Sequence, residues 1–204
     1  MATIKNYDEY PFGLSWVIDD TGRRTSHALK GSDGRVWLID PVDADDALDR
    51  ATALGEPAAV LQLLDRHNRD CAAVAERLGV LHVKVPDTVP GSPFLAIPAL
   101  RIPGWHETAL WWPEQKALVV AEIVGTAFPY TGGRATVGMH LLLRPLPPQI
   151  LREYEPEHLL VGHGSGVHGP AATRGLQQAY EQARGDLPGV LKSLAGSLRG
   201  KSGA

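Results

Sequence analysis

A single cysteine, Cys71, among 204 residues excludes an intramolecular disulfide and any cluster of thiolate ligands within the chain. That scarcity fits a reducing compartment. No apolar run comes near the roughly 20 residues that a membrane-spanning helix needs. Neither sign of charge dominates. The 20 Lys and Arg stand against 23 Asp and Glu, a formal net charge of −3, so nothing draws the chain to nucleic acid or to an anionic membrane. Met1 to Phe12 lacks a charged segment followed by an apolar stretch, so no signal peptide is expected. The expectation is a cytoplasmic protein whose partner is neither nucleic acid nor membrane but a small molecule, substrate or ligand. Internal repeats and linkers are also lacking, which points to one domain over residues 1–204 with its core over about 14–184. The tail 197–204 is polar and glycine-rich and is expected to fray.

What is present suffices for a core, since 44% of the residues are hydrophobic. Leu14 to Asp19 reads as a strand, Asp20 to Arg23 as a turn, and Thr25 to Lys30 as the returning strand. Arg35 to Ile39 is apolar and stops at Asp40-Pro41, because proline cannot continue a ladder. Val42 to Leu54 turns helical. Ala58 to Leu64 is a short continuous apolar run, the mark of a strand buried on both faces. A helix from Cys71 to Leu78 ends at Gly79, and Val80 to Val85 is a further strand. Strands are expected within Phe94–Ile102, Thr108–Trp112, Ala117–Val124 and Glu157–Val161, and a helix over Pro170–Arg184. Gly125 to Arg134 reads as a site-forming loop. Strands alternating with helices argue for a layered α/β sheet.

Chemistry-bearing residues gather at the ends of the buried strands, where layered α/β folds build their sites. Asp40, the Asp65 to Asp70 loop, Glu122 and His163 lie at four such ends, and His106 in a loop before a fifth strand. Imidazoles and carboxylates together suit zinc, iron or manganese. Plainer roles compete. Asp70 is placed to cap the helix at Cys71. Arg66, Arg69 and Asp65 can form a surface ion-pair cluster, and Asp40 can be a turn former. Trp105, Trp111 and Trp112 can wall an apolar pocket, with Asp40, His140 and His168 near its mouth. His168 can equally cap the helix that follows it. His27, His82 and His158 read as ordinary surface or strand histidines. Cys71 opens a helix, where the dipole favours a thiolate, so a nucleophilic cysteine beside His67 is a further reading.

From Leu14 to Arg184 the order of elements resembles the metallo-β-lactamase superfamily. The resemblance rests on Leu38-Ile-Asp40, the loop after Leu64 with its helix ending Leu78-Gly79, Pro103-Gly104, the hairpin Trp111 to Glu122, and Leu159-Leu-Val-Gly-His-Gly164. It implies a four-layer αββα sandwich of two mixed sheets and a two-metal hydrolase, in which a bridging hydroxide attacks an ester, thioester, amide or phosphoester. The family's His-x-His-x-Asp-His falls on Asp65, His67, Arg69 and Asp70, so only its second histidine is kept. The bridging aspartate falls on Glu122 and the final histidine on His163, while His106 lies one residue beyond the family's Pro-Gly-His position. One metal site would correspond to Asp65, His67, His106 and Glu122, a credible set for one divalent cation. The other would contain Arg69, which is donor-only and cannot ligate. Arg69 is therefore expected to stand in for the second metal, paired with Asp70 or Glu122. Either Glu122 or Asp70 would then be the general base. The alternatives are a metal-free protein with a binding or regulatory role, and a metal-free lyase or isomerase that uses His67 and Cys71.

Overall fold

The computed structural model describes residues 2–67 and 69–201. Its first sheet contains β1 (Ile4–Tyr10), β2 (Gly13–Ile18), β3 (Thr25–Lys30), β4 (Arg35–Ile39), β5 (Glu56–Gln62) and β6 (Leu81–Lys84), side by side in chain order. The first four run antiparallel, and β4, β5 and β6 are parallel. Parallel neighbours need crossovers, and α1 (Asp45–Leu54) and α2 (Cys71–Leu78) supply them.

Alternation along β4 explains its unbroken apolar run. Val36 and Leu38 pack outward on Ala47, Leu48, Cys71 and Val74 of the two helices. Trp37 and Ile39 point the other way, into the core shared with the second sheet.

That second sheet has the order β13-β12-β9-β8-β7, from β7 (Leu95–Ile102), β8 (Trp105–Trp112), β9 (Ala117–Val120), β12 (His158–Val161) and β13 (Val167–His168). Only β9 and β12 are parallel, so this sheet too is mixed. Between them in sequence come the pair β10 (Val124–Gly125) and β11 (Gly138–Met139), with α3 (Phe128–Thr131) inside the segment expected as a loop. The outer face is covered by α4 (Pro170–Glu181) through Ala172, Leu176 and Tyr180. Helices, sheet, sheet, helix: the layers are those of an αββα sandwich.

Several elements depart from expectation. β8 begins at Trp105, so Trp105 to Glu107 is strand rather than loop. The chain leaves the ladder after Val120, short of the expected Val124. β1 lies outside the expected strands, and α5 (Leu187–Lys201) outside the expected helices. The end of the 197–204 tail lies outside the described residues. No described helix is long and apolar enough to cross a membrane.

The sheets are joined at one edge by two seams. Leu64 bridges Glu107, with the Asp65 amide on the His106 carbonyl at 3.0 Å and the Thr108 amide on the Leu63 carbonyl at 2.8 Å. Arg24 bridges His163, with the Thr25 amide on the Gly162 carbonyl at 2.8 Å. Gly162 is needed at this crossing, since a β-carbon there would stand 2.2 Å from the Ala121 carbonyl oxygen.

Candidate metal centre

Register places the site. β9 and β12 are parallel, with Val120 opposite Val161, so Glu122 and His163 each emerge two residues past a paired position. β4 and β5 are parallel too, with Ile39 opposite Leu61. Asp40 and the loop carrying His67 therefore leave the first sheet toward the same edge. Ligand atoms of His67, Glu122 and His163 all lie within 4.8 Å of one another, and the two imidazole centroids are 5.7 Å apart.

The protonation of both rings follows from their partners. His67 Nδ1 is 3.1 Å from Asp40 Oδ2, and His163 Nδ1 is 2.8 Å from the Gly22 carbonyl oxygen. A carboxylate and a carbonyl can only accept, so each Nδ1 carries the hydrogen and each Nε2 keeps its lone pair. Both Nε2 atoms are buried, and among the described residues neither has a hydrogen-bond partner. Two orphaned lone pairs beside a carboxylate are what a cation of the zinc, iron or manganese type requires.

Electrostatics keep His163 and Glu122 in their ligating forms. Burial, helped by the charge of Arg69, holds the His163 pKa down at about 4. Burial pushes the Glu122 carboxyl up, but the hydrogen bond from Arg66 and the nearby His67 and His140 outweigh it and hold its pKa below the usual value. Arg66 lies 2.9 Å from Glu122 and is stacked 3.8 Å over the Trp105 ring. Asp40 is also kept ionised, as His67 and Arg69 overcome its burial.

The other expected site residues lie elsewhere. Asp65 is held beside His106 by the Leu64–Glu107 seam, with its carboxylate 3.7 Å from the His106 ring. His106 itself is half exposed, and both are outside the cluster. Asp70 faces the helical layer, where its carboxylate accepts the Asp43 amide at 2.9 Å; it does not cap α2 through its side chain, and it is not part of the cluster of His67, Glu122 and His163.

Arg69 pairs with neither Asp70 nor Glu122. Its guanidinium turns inward and donates to the carbonyls of Thr25, of Asp40 at 3.1 Å and of Gly162 at 2.7 Å. Those groups end strands of both sheets, so Arg69 is a cross-sheet tie, and the cation beside Glu122 is Arg66. Cys71 is buried, and burial with the negative Asp40 pushes its thiol up to about 12, which removes it as a nucleophile.

The cavity next to the cluster measures about 320 Å³ and is lined by Glu122, His163, His140, Tyr130, Gly22 and the apolar Pro129, Leu141, Leu142 and Leu194. Trp105 is buried beneath it, edge-on to His140 at 4.8 Å. Trp111 is at the far end of β8 against Tyr154. His168 lies at the β13 edge between Asp8 and His158, at 2.9 and 2.8 Å. Neither reaches the cavity, and Asp40 supports it from below through His67. Sequence reasoning missed Tyr130, whose ring stacks on His163 at 5.4 Å, and Glu107, a fully buried carboxylate. A glutamate interrupting the apolar stretch Trp105 to Trp112 was the available sign.

No protein-family model matches this chain, and no curated protein does. Solved structures do. A metallo-β-lactamase from Pontibacter korlensis superposes with a TM-score of 0.57 at 14% identity, over 89% of this chain and 99% of that one. The DIM-1 metallo-β-lactamase gives 0.56 at 13%, over 89% and 98%. The apo chemotaxis sensor ODP from T. denticola gives 0.54 at 12%, over 88% and 93%, and ODP has also been solved as a peroxy diiron species. At these identities the likeness concerns fold alone: the chain has the metallo-β-lactamase fold.

Proposed function

We propose that this metallo-β-lactamase-fold chain is a hydrolase of small molecules that works with one divalent cation held by His67, Glu122 and His163. The observation that carries the reading is the pair of buried, unpartnered Nε2 lone pairs facing the Glu122 carboxylate. Three protein donors leave open positions, the arrangement of catalytic rather than structural sites. A cation bound there would supply Lewis acidity to the bond being cleaved and to water. The chain's own residues do the rest. Asp40 and the Gly22 carbonyl orient the two rings, and Arg66 holds Glu122 ionised and aimed.

The cavity argues for the kind of substrate. Its walls are mostly apolar, and among the described residues its one charged group is Glu122 and no Lys or Arg lines it. Beyond the bound cation itself, a phosphoester's anionic oxygens would meet no Lys or Arg among the described lining residues. An uncharged carboxylic ester, thioester or amide with a small apolar acyl group fits better.

The test is metal analysis of protein purified without added metal, then hydrolysis of neutral short-chain esters and thioesters beside phosphoesters. About one zinc, iron or manganese per chain and ester cleavage lost in His163→Ala are expected. A second reading, a metal-free binding protein, draws on the Arg66–Glu122 ion pair, in which a protein cation already neutralises the carboxylate. Absence of metal uptake together with tight binding of an apolar ligand would replace the first reading with the second.

A further inference from the structure

We propose that Glu107 is a positioning residue that sets the His67 loop and the Glu122 loop against each other; this rests on the metal reading above. Its main chain belongs to one loop's support and its side chain to the other's. Through its backbone, Glu107 bridges Leu64, three residues before His67, and the flanking bonds fix Leu63 and Asp65 to β8. Through its side chain, one carboxylate oxygen accepts the amides of Ala121, Glu122 and Ile123 at 3.0, 2.9 and 3.2 Å. These three residues follow the end of β9, where the ladder no longer provides carbonyl partners. A single buried carboxylate thus organises the turn that presents Glu122.

The second oxygen extends the brace. It lies 3.3 Å from the indole nitrogen of Trp105, which donates to it. The Trp105 ring carries the Arg66 guanidinium on its face, and Arg66 holds the Glu122 carboxylate. Glu107 therefore controls Glu122 at both ends, its main chain directly and its side chain through Trp105 and Arg66. Glu107 touches none of the ligand atoms itself.

Glu107→Gln separates this role from mere support of the fold. The backbone seam with Leu64 survives the change, but one amide cannot accept three N–H groups on one atom and the indole N–H on the other. Cobalt(II) is the probe, read by chelator competition and by its visible spectrum, with thermal melts in parallel. Glu107→Gln should bind cobalt at least about tenfold more weakly than wild type, the scale of lost outer-sphere support, with an altered spectrum and a retained cooperative melt. Trp105→Phe, which removes the indole donor and shrinks the ring face beneath Arg66 while leaving Glu107 and its three amide contacts in place, should shift both in the same direction and carries the test if Glu107→Gln does not fold. Glu114→Gln weakens the same kind of indole–carboxylate contact with Trp112, 2.7 Å long, at the other end of β8, and should change neither. Wild-type affinity and spectrum in Glu107→Gln and Trp105→Phe would overturn the proposal, as would an equal loss in Glu114→Gln. If wild type itself takes up no cobalt, the metal reading falls, and amide hydrogen exchange in metal-free protein decides the brace. Faster exchange at residues 121–123 in Glu107→Gln supports it, and unchanged exchange overturns it.

Discussion

Asp40 and His67 come from different ends of a βαβ-type crossover, yet their side chains meet in a buried hydrogen bond of 3.1 Å. Asp40 holds a left-handed backbone conformation, with φ of 45°, directly before Pro41. It accepts the Leu63 amide through its other oxygen at 3.1 Å. This carboxylate therefore selects the His67 tautomer that leaves Nε2 free. Asn is among the few residues that tolerate such a backbone. Asp40→Asn should fold, accept from Leu63 as before, and turn its NH₂ toward His67 Nδ1. That donor forces the ring hydrogen onto Nε2. Metal affinity should fall by about 10- to 100-fold, measured by zinc titration against a chelating dye; affinity equal to wild type would mean that Asp40 does not set the tautomer.

Arg69 should matter for stability rather than chemistry. Its guanidinium is buried and joins carbonyls from both sheets. Arg69→Ala strands those carbonyls and leaves the Asp40 carboxylate without its nearby cation. The loss should be roughly 3–5 kcal/mol, as for other broken buried charge pairs. Denaturant unfolding of Arg69→Ala, with the exposed Arg77→Ala as comparison, checks this. Near-equal midpoints for the two would contradict the cross-sheet tie.

The contrast between Arg69 and Arg66 shows how far the residues could be read beforehand. Apolar periodicity located β3, β4 and α2 to the residue, and strand ends located the edge where Asp40, His67, Glu122 and His163 lie. Sequence spacing says which loop carries a residue but not where its side chain turns. In the loop after Leu64 that direction is set by the seam with β8, a contact 43 residues away in the chain. Arg66 consequently faces Glu122 while Arg69 faces the core. β1 escaped notice because Ile4 to Tyr10 is half polar and lies at a sheet edge. Helix α5 was hidden by Pro188 and its glycines, which argue against a helix on propensity alone.

His27 should make the fold sensitive to acid. Burial, with the charge of Arg69, takes its pKa from 6.5 to about 4. A folded value below the unfolded one means that the unfolded chain binds more protons between these limits. Stability from this residue is thus complete above about pH 6.5 and declines as the pH falls toward 4. For a fully buried ring the difference between about pH 7 and pH 4.5 is of order 2–3 kcal/mol. His27→Asn should lose less stability than wild type across that interval, as read from denaturant midpoints at each pH. Parallel pH profiles would show that His27 does not titrate with unfolding.

Tyr130 forms the cavity wall beside His163. Its ring lies flat against Gly125: a β-carbon there would meet three of its ring atoms at 2.8 to 2.9 Å. The ring cannot simply swing away, because it is stacked on His163 at 5.4 Å and packed against His140 at 5.7 Å. Its main chain is also held, with the Tyr130 carbonyl accepting from buried Arg144 at 2.6 Å. Gly125→Ala must therefore push the ring toward the ligand side. Overpacking of this kind costs about 1–3 kcal/mol, and the displaced ring should narrow the cavity, so bulkier acyl groups suffer more than small ones in hydrolysis or binding. Tyr130→Leu alone should enlarge the cavity. Placed together, the two changes should be much less damaging than their sum, because leucine vacates the space that the added methyl needs. Thermal melts of the two single variants and the double variant provide the measurement. Additive losses would mean that Gly125 is required for some reason other than the seat of Tyr130.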